Sequence, residues 1–178
     1  SSLPEIANAL RRFLHILRDG GGLAPSSLKS LRVMLCQRFL TEQLDFTKIA
    51  KEVVKVSDFA ELLDHVIMPA DSHGKIGGKG AGLLLAYWIM SRPQGDRDTM
   101  PPVKMPRTWF MASDAVLDFL DYNDLEDVWE QKYKDISTIR REYPNVVQLF
   151  KNSAFPPDLV QGLAMALDDL GETPIIVR

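Results

Sequence analysis

The chain has 178 residues, of which 46% are hydrophobic and 25% charged, a globular composition with enough apolar surface for one domain core. A net charge of -3 argues against nucleic-acid binding, and the single cysteine, Cys36, excludes an internal disulfide framework and fits a reducing compartment. The longest apolar run, "GLLLAYWIM", is about half the length of a membrane span, and no charged-then-apolar leader precedes it, so we expect a cytoplasmic chain with no membrane association.

In chain order, "PEIANALRRFLHILRD" sets Ile6, Leu10, Phe13, Leu14 and Leu17 on one stripe, a helix started by Pro4 and ended by the glycines at 20–22. A second helix begins near "APSSLKSL", with Leu28, Leu31, Leu35 and Phe39 at helical spacing. "DFTKIAKEVV" and "SDFAELLDHVIM" read as two more, the latter capped by Ser57. Residues 1–68 thus show no strand signal, and Pro69 closes the block. Residues 82–91 read as a helix buried on every face, and 91–106, with its four prolines, as a loop. "RTWFMA" (107–112) fits a short strand, after which Ser113 and Asp114 offer an N-cap to "AVLDFLDY". Leu125 to Phe150 is charged and helical, with a break expected at Pro144. "PPDLVQGLAMALDDLG" places Leu159, Val160, Leu163, Leu167 and Leu170 on one face with Gly171 as C-cap, and "TPIIVR" follows as a buried strand.

The chemistry-bearing stretch is "GKIGGKGAG" (74–82), which runs directly into apolar sequence. It is not a Walker loop: with Lys79 as the lysine, the first glycine position falls on His73 and the Ser/Thr position on Gly80. Nor is it G-x-G-x-x-G, since after Gly78 and Gly80 the last position is Leu83. Two readings remain from the residues alone. Small residues at a helix start leave N–H groups open to an anion, with a lysine as cation. Alternatively, the glycines let the loop pack closely against a neighbouring strand.

"IGGKGAGLLLA" resembles the start of the nucleotide-binding domain of the phosphoenolpyruvate synthase and pyruvate phosphate dikinase family. Pro106, "TWFMA", Ser113 and "ETPIIVR" follow in that family's order, so the resemblance covers roughly residues 71–178. "RTWF" departs from the family's glycine-phenylalanine, which leaves the strand register open. The periodicity gives a helical region over 1–69 of unassigned role, outside the resemblance; over 70–178 the resemblance implies the first part of an ATP-grasp lobe, truncated at its C-terminus, so that the whole is expected to be α+β. The resemblance implies that Lys79 and Arg178 contact nucleotide phosphates and that Gly77, Gly78 and Gly80 shape the loop. It further implies ATP and Mg²⁺ as cofactors, with the metal ligands and a further arginine beyond Arg178. The phosphoryl group would pass to a histidine on another domain, a kinase-type phosphotransfer for which this stretch alone is inactive and carries no catalytic residue. An ending at Arg178 directly after apolar "IIV" agrees with a fragment of a larger polypeptide. The alternative is a non-catalytic interaction module, its helical block docking a partner and its nucleotide site degenerate.

Other polar residues have simpler readings. His15 and His65 lack a second ligand at metal spacing, His73 is an exposed loop residue, and Cys36 is a small buried hydrophobe. Arg11, Arg12 and Arg18 face outward, as do the pairs Glu126–Asp127 and Asp168–Asp169. Trp88, Trp109 and Trp129 are packing residues, with adenine stacking by Trp88 or Trp109 as the other option.

Overall fold

Apolar spacing at three and four residues organises the first part of the computed structural model, which describes residues 1–18, 21–92 and 104–177. Helix α1 spans Leu3–Arg18 and buries Leu3, Ala7 and Leu10, with Ile6, Phe13 and Leu14 packed beside them. Helix α2 (Pro25–Leu35) starts on a proline, which needs no N–H partner in a first turn, and widens into a π-helical turn over Cys36–Leu40. Helices α3 (Leu44–Val53) and α4 (Val56–Leu63) complete the N-terminal block. The cap of α4 is not Ser57. Its N-cap is Lys55, whose N–H donates to the Asp58 carboxylate at 2.7 Å, one turn in.

Two further expectations need correcting nearby. Val66–Ile67 forms a strand, β1, within the stretch read as strandless; it pairs in parallel with β2 (Phe110–Met111), Val66 opposite Phe110 and Ile67 opposite Met111. Two residues are too few to show a period-2 pattern, so no strand signal precedes this pairing. Helix α5 spans Gly77–Met90 and therefore starts five residues before the expected 82, with the glycines forming its first turn. It buries one face, Ala81, Leu84, Leu85 and Trp88, while Leu83 and Met90 are exposed.

Residues Leu3 to Ala112 share one contiguous core. Phe59 is fully buried between Phe39 and Trp88, with ring centroids 6.1 Å from each. Cys36 is also fully buried, and desolvation pushes its thiol up to about 11, as suits an inert core residue.

The remainder is looser. Helix α6 (Ala115–Tyr122) leads into a 3-10 segment, Glu126–Tyr133, then α7 (Ile136–Asn152) and α8 (Pro157–Leu170). The break falls at Lys134–Asp135 and not at Pro144. Asp135 caps α7 by accepting from the Ser137 and Thr138 N–H groups, whereas Pro144 sits on an exposed face where the carbonyl it frees can meet water. On α8 Leu159 and Ala166 are buried, but Val160 and Leu167 are exposed, so its inner face is rotated from the expected one. Gly171 ends the helix with φ of 59°. Residues 174–177 do not form the expected buried strand: Ile175, Ile176 and Val177 are exposed and pair with neither β1 nor β2. An apolar β-branched run becomes a strand only beside an edge that takes its backbone hydrogen bonds. The described chain is thus mostly helical around a small two-stranded sheet, compatible with an α+β class.

Candidate functional site

The glycine-rich stretch divides at Ile76. Before it, residues 72–76 are tied down on every side. Asp114, the N-cap residue of α6, makes no cap bond; its carboxylate accepts instead from the Ser72 hydroxyl (2.8 and 3.0 Å), the His73 N–H (2.6 Å) and the Gly74 N–H (2.8 Å). Ser113 pairs with Lys75 twice, its N–H donating to the Lys75 carbonyl and its hydroxyl accepting from the Lys75 N–H. This contact leaves no room at Gly74, where an added Cβ would lie 2.3 Å from an Asp114 carboxylate oxygen. Neither Ser113 nor Asp114 therefore caps α6 as expected, since both side chains are spent on residues 72–75.

After Ile76 the surroundings open. Gly77 has φ of +76°, a conformation that favours glycine, and Cβ atoms built on Gly77 or Gly78 would meet nothing within 4 Å. Gly80 is different: its Cβ would sit 3.1 Å from the Phe110 ring on β2. Each reading of the glycines therefore has its own residues, with Gly80 allowing close packing on a strand and Gly77 and Gly78 keeping the outer side clear.

The first turn of α5 has no side-chain cap and no acidic residue, so its leading N–H groups and the positive end of the helix dipole are uncompensated. Lys79 lies in that turn, exposed and with no hydrogen-bond or ion-pair partner among the described residues. A lysine there is electrostatically unfavourable unless an anion joins it. Lys75, by contrast, is engaged by Glu42 at 2.5 Å, and this bond lowers the Glu42 carboxyl below its ordinary range. Arg178 lies outside the described residues.

A cleft lies elsewhere among the described residues. It has a volume of about 420 Å³ and is walled by Asp71, His73, Asp114, Asp118, Asp121, Glu126 and Trp129, with none of Gly77, Gly78, Lys79 or Gly80. Burial and then the carboxylates of Asp158, Asp71, Asp121 and Asp114 hold the Asp118 carboxyl above its ordinary range, a sign of the negative field there. Such a field repels a polyphosphate. Among the described residues no three His, Cys, Asp or Glu side chains are grouped to hold a metal ion.

Trp88 and Trp109 are accounted for without a base, whereas Trp129 is exposed on the acidic cleft and not the packing residue expected. Trp88 is in the core, and Trp109 stacks edge-on with His65 at 5.2 Å while its indole N–H donates to Asp169 at 2.9 Å. Asp169 is therefore not merely a solvated charge. His65 Nδ1 donates to the Glu61 carbonyl, and Arg11 pairs with Asp64. No helix among the described residues is long and apolar enough to cross a membrane.

The model of a family described as pyruvate phosphate dikinase, AMP/ATP-binding domain, matches residues 73–178, a span containing the whole glycine turn. Neither the curated proteins nor the solved structures yield a match. On the strength of that match, over more than half its length, this chain belongs to the pyruvate phosphate dikinase AMP/ATP-binding domain family.

Proposed function

We propose that the chain supplies an ATP-grasp-type lobe to a phosphoenolpyruvate synthase or pyruvate phosphate dikinase-like phosphotransferase, which passes phosphate from ATP to a histidine on another domain. The observation that carries this reading is Lys79, without a partner among the described residues in an uncapped, glycine-lined first turn. In this role the N–H groups of Gly77, Gly78 and Lys79 donate to phosphate oxygens, and the Lys79 ammonium neutralises their charge. Arg178 is proposed as a second cation on the same phosphates. Phosphoryl transfer depends largely on such positioning and charge neutralisation, so the lobe needs no acid or base of its own. The described carboxylates are not grouped to hold Mg²⁺, whose ligands are proposed to lie beyond Arg178. Cys36, reduced and buried, agrees with a cytoplasmic setting.

Equilibrium titration with ATP tests the assignment. Lys79→Ala is expected to weaken binding about 10- to 100-fold, the range for losing a charged hydrogen bond, without changing thermal stability. Unchanged affinity in Lys79→Ala would overturn the assignment and favour a helical interaction module instead.

A further inference from the structure

Much of what holds residues 72–76 comes from the N-terminal helical block, which the family match does not reach. The Leu3 N–H donates to the Ser72 carbonyl at 2.6 Å. Three further attachments come from residues 38–42. The Arg38 guanidinium donates to the His73 carbonyl at 2.9 Å and to the Gly74 carbonyl at 3.4 Å. The Phe39 carbonyl accepts from the Ile76 N–H at 3.0 Å, and Glu42 holds Lys75.

The π-helical turn makes this possible. Its closing bond runs from the Thr41 N–H to the Cys36 carbonyl, one residue wider than an α-helical bond. Carbonyls in a last helical turn lack intrahelical donors, and here the Phe39 carbonyl is satisfied by Ile76. Because Ile76 is the residue before α5, fixing its N–H fixes the direction in which the open N–H groups of the next turn point. Phe39 itself is 1% exposed, which anchors this turn in the core.

We infer that residues 38–42 are the positioning element for the glycine turn and that Arg38 is a positioning residue for nucleotide binding. Arg38 holds the His73 and Gly74 carbonyls, four and three residues ahead of the helix, so the N–H groups facing the phosphates are set before the ligand arrives. Glu42 meanwhile withholds Lys75, which leaves Lys79 as the lysine available to an anion. The consequence for affinity rests on the ATP reading above; the ordering of residues 74–76 rests on geometry alone.

The two parts separate in one experiment on the 178-residue chain. Amide hydrogen exchange is measured without nucleotide at Gly74, Lys75 and Ile76, and ATP affinity is measured on the same samples. Arg38→Ala is expected to speed exchange at these three amides and to weaken ATP binding, each about tenfold, with Arg38→Lys recovering most of both. Arg11→Ala, which breaks the Arg11–Asp64 pair in the same block, is expected to change neither. Exchange and affinity in Arg38→Ala both within about twofold of the parent would overturn the inference, as would an equal response in Arg11→Ala. Should Arg38→Ala fail to fold, Arg38→Gln carries the same comparison. If the parent does not bind ATP, the functional reading fails while exchange still decides the structural part: acceleration confined to 74–76 supports positioning, and none contradicts it.

Discussion

The two parts of the described chain bury apolar surface very differently. From Leu3 to Ala112 one contiguous core runs through α1 to α5 and both strands. Beyond it, a small cluster joins Ile67, Ala115, Leu159 and Ala166, and α7 buries no residue fully despite its amphipathic sequence. The glycine turn belongs to the first part, carried by α5 on that core. The second part reaches it through Ser113 and Asp114. Rigidity at the candidate site is thus expected to come from the N-terminal block and one polar clamp.

The contrast is tested most strongly in the core. Phe59→Ala is expected to cost about 3–5 kcal/mol in chemical denaturation, the range for a fully buried phenylalanine. Leu167→Ala, at an exposed position on α8, is expected to change stability by about 0.5 kcal/mol or less. Equal costs at the two sites would contradict the uneven distribution of the core.

The clamp comes next. Asp114→Ala strands the Ser72 hydroxyl and the His73 and Gly74 N–H groups, and a loss of about 2–3 kcal/mol is expected. Gly74→Ala drives a Cβ against Asp114 and should cost about 1–3 kcal/mol by the same denaturation assay. Gly78→Ala meets open space and lies in a helix, so it should leave stability unchanged or raise it by about 0.5–1 kcal/mol. Its methyl group should nonetheless weaken ATP binding, since it occupies the side offered to phosphate.

The smallest effect concerns the acidic cleft. The Asp118 carboxyl is raised in the folded chain, so its charged form opposes folding above that raised value and the penalty lifts as pH falls through it. Asp118→Asn should therefore stabilise the chain by about 0.5 kcal/mol or less at neutral pH. Thermal unfolding should show that gain fading as pH falls through the raised value and gone once pH lies below the ordinary carboxyl value of about 4, where the group is protonated in both states.

The helices were legible because their apolar residues recur at three and four, as in Leu28, Leu31 and Leu35 of α2. The start of α5 was not, because glycine is a poor helix former and a run of it reads as loop. Here Gly80 is needed for approach to Phe110, and the buried face from Ala81 onward outweighs the propensity cost. Lys79 was visible as a cation in a glycine stretch. Its lack of a partner, against the engagement of Lys75, needed the fold. Arg38 was invisible, since a bond to a carbonyl thirty-five residues away has no local spacing. The apolar "PIIV" misled because pattern records the wish to be buried and not the edge that would take it.

The most direct test follows the amide resonances of Gly77 to Gly80 in the isotope-labelled chain as ATP is added. Saturable shifts confined to these amides and their neighbours, abolished in Lys79→Ala, are expected from the proposed role of the glycine turn. Shifts centred on Asp118, Asp121 and Trp129 instead, with Gly77 to Gly80 unmoved at saturation, would contradict it.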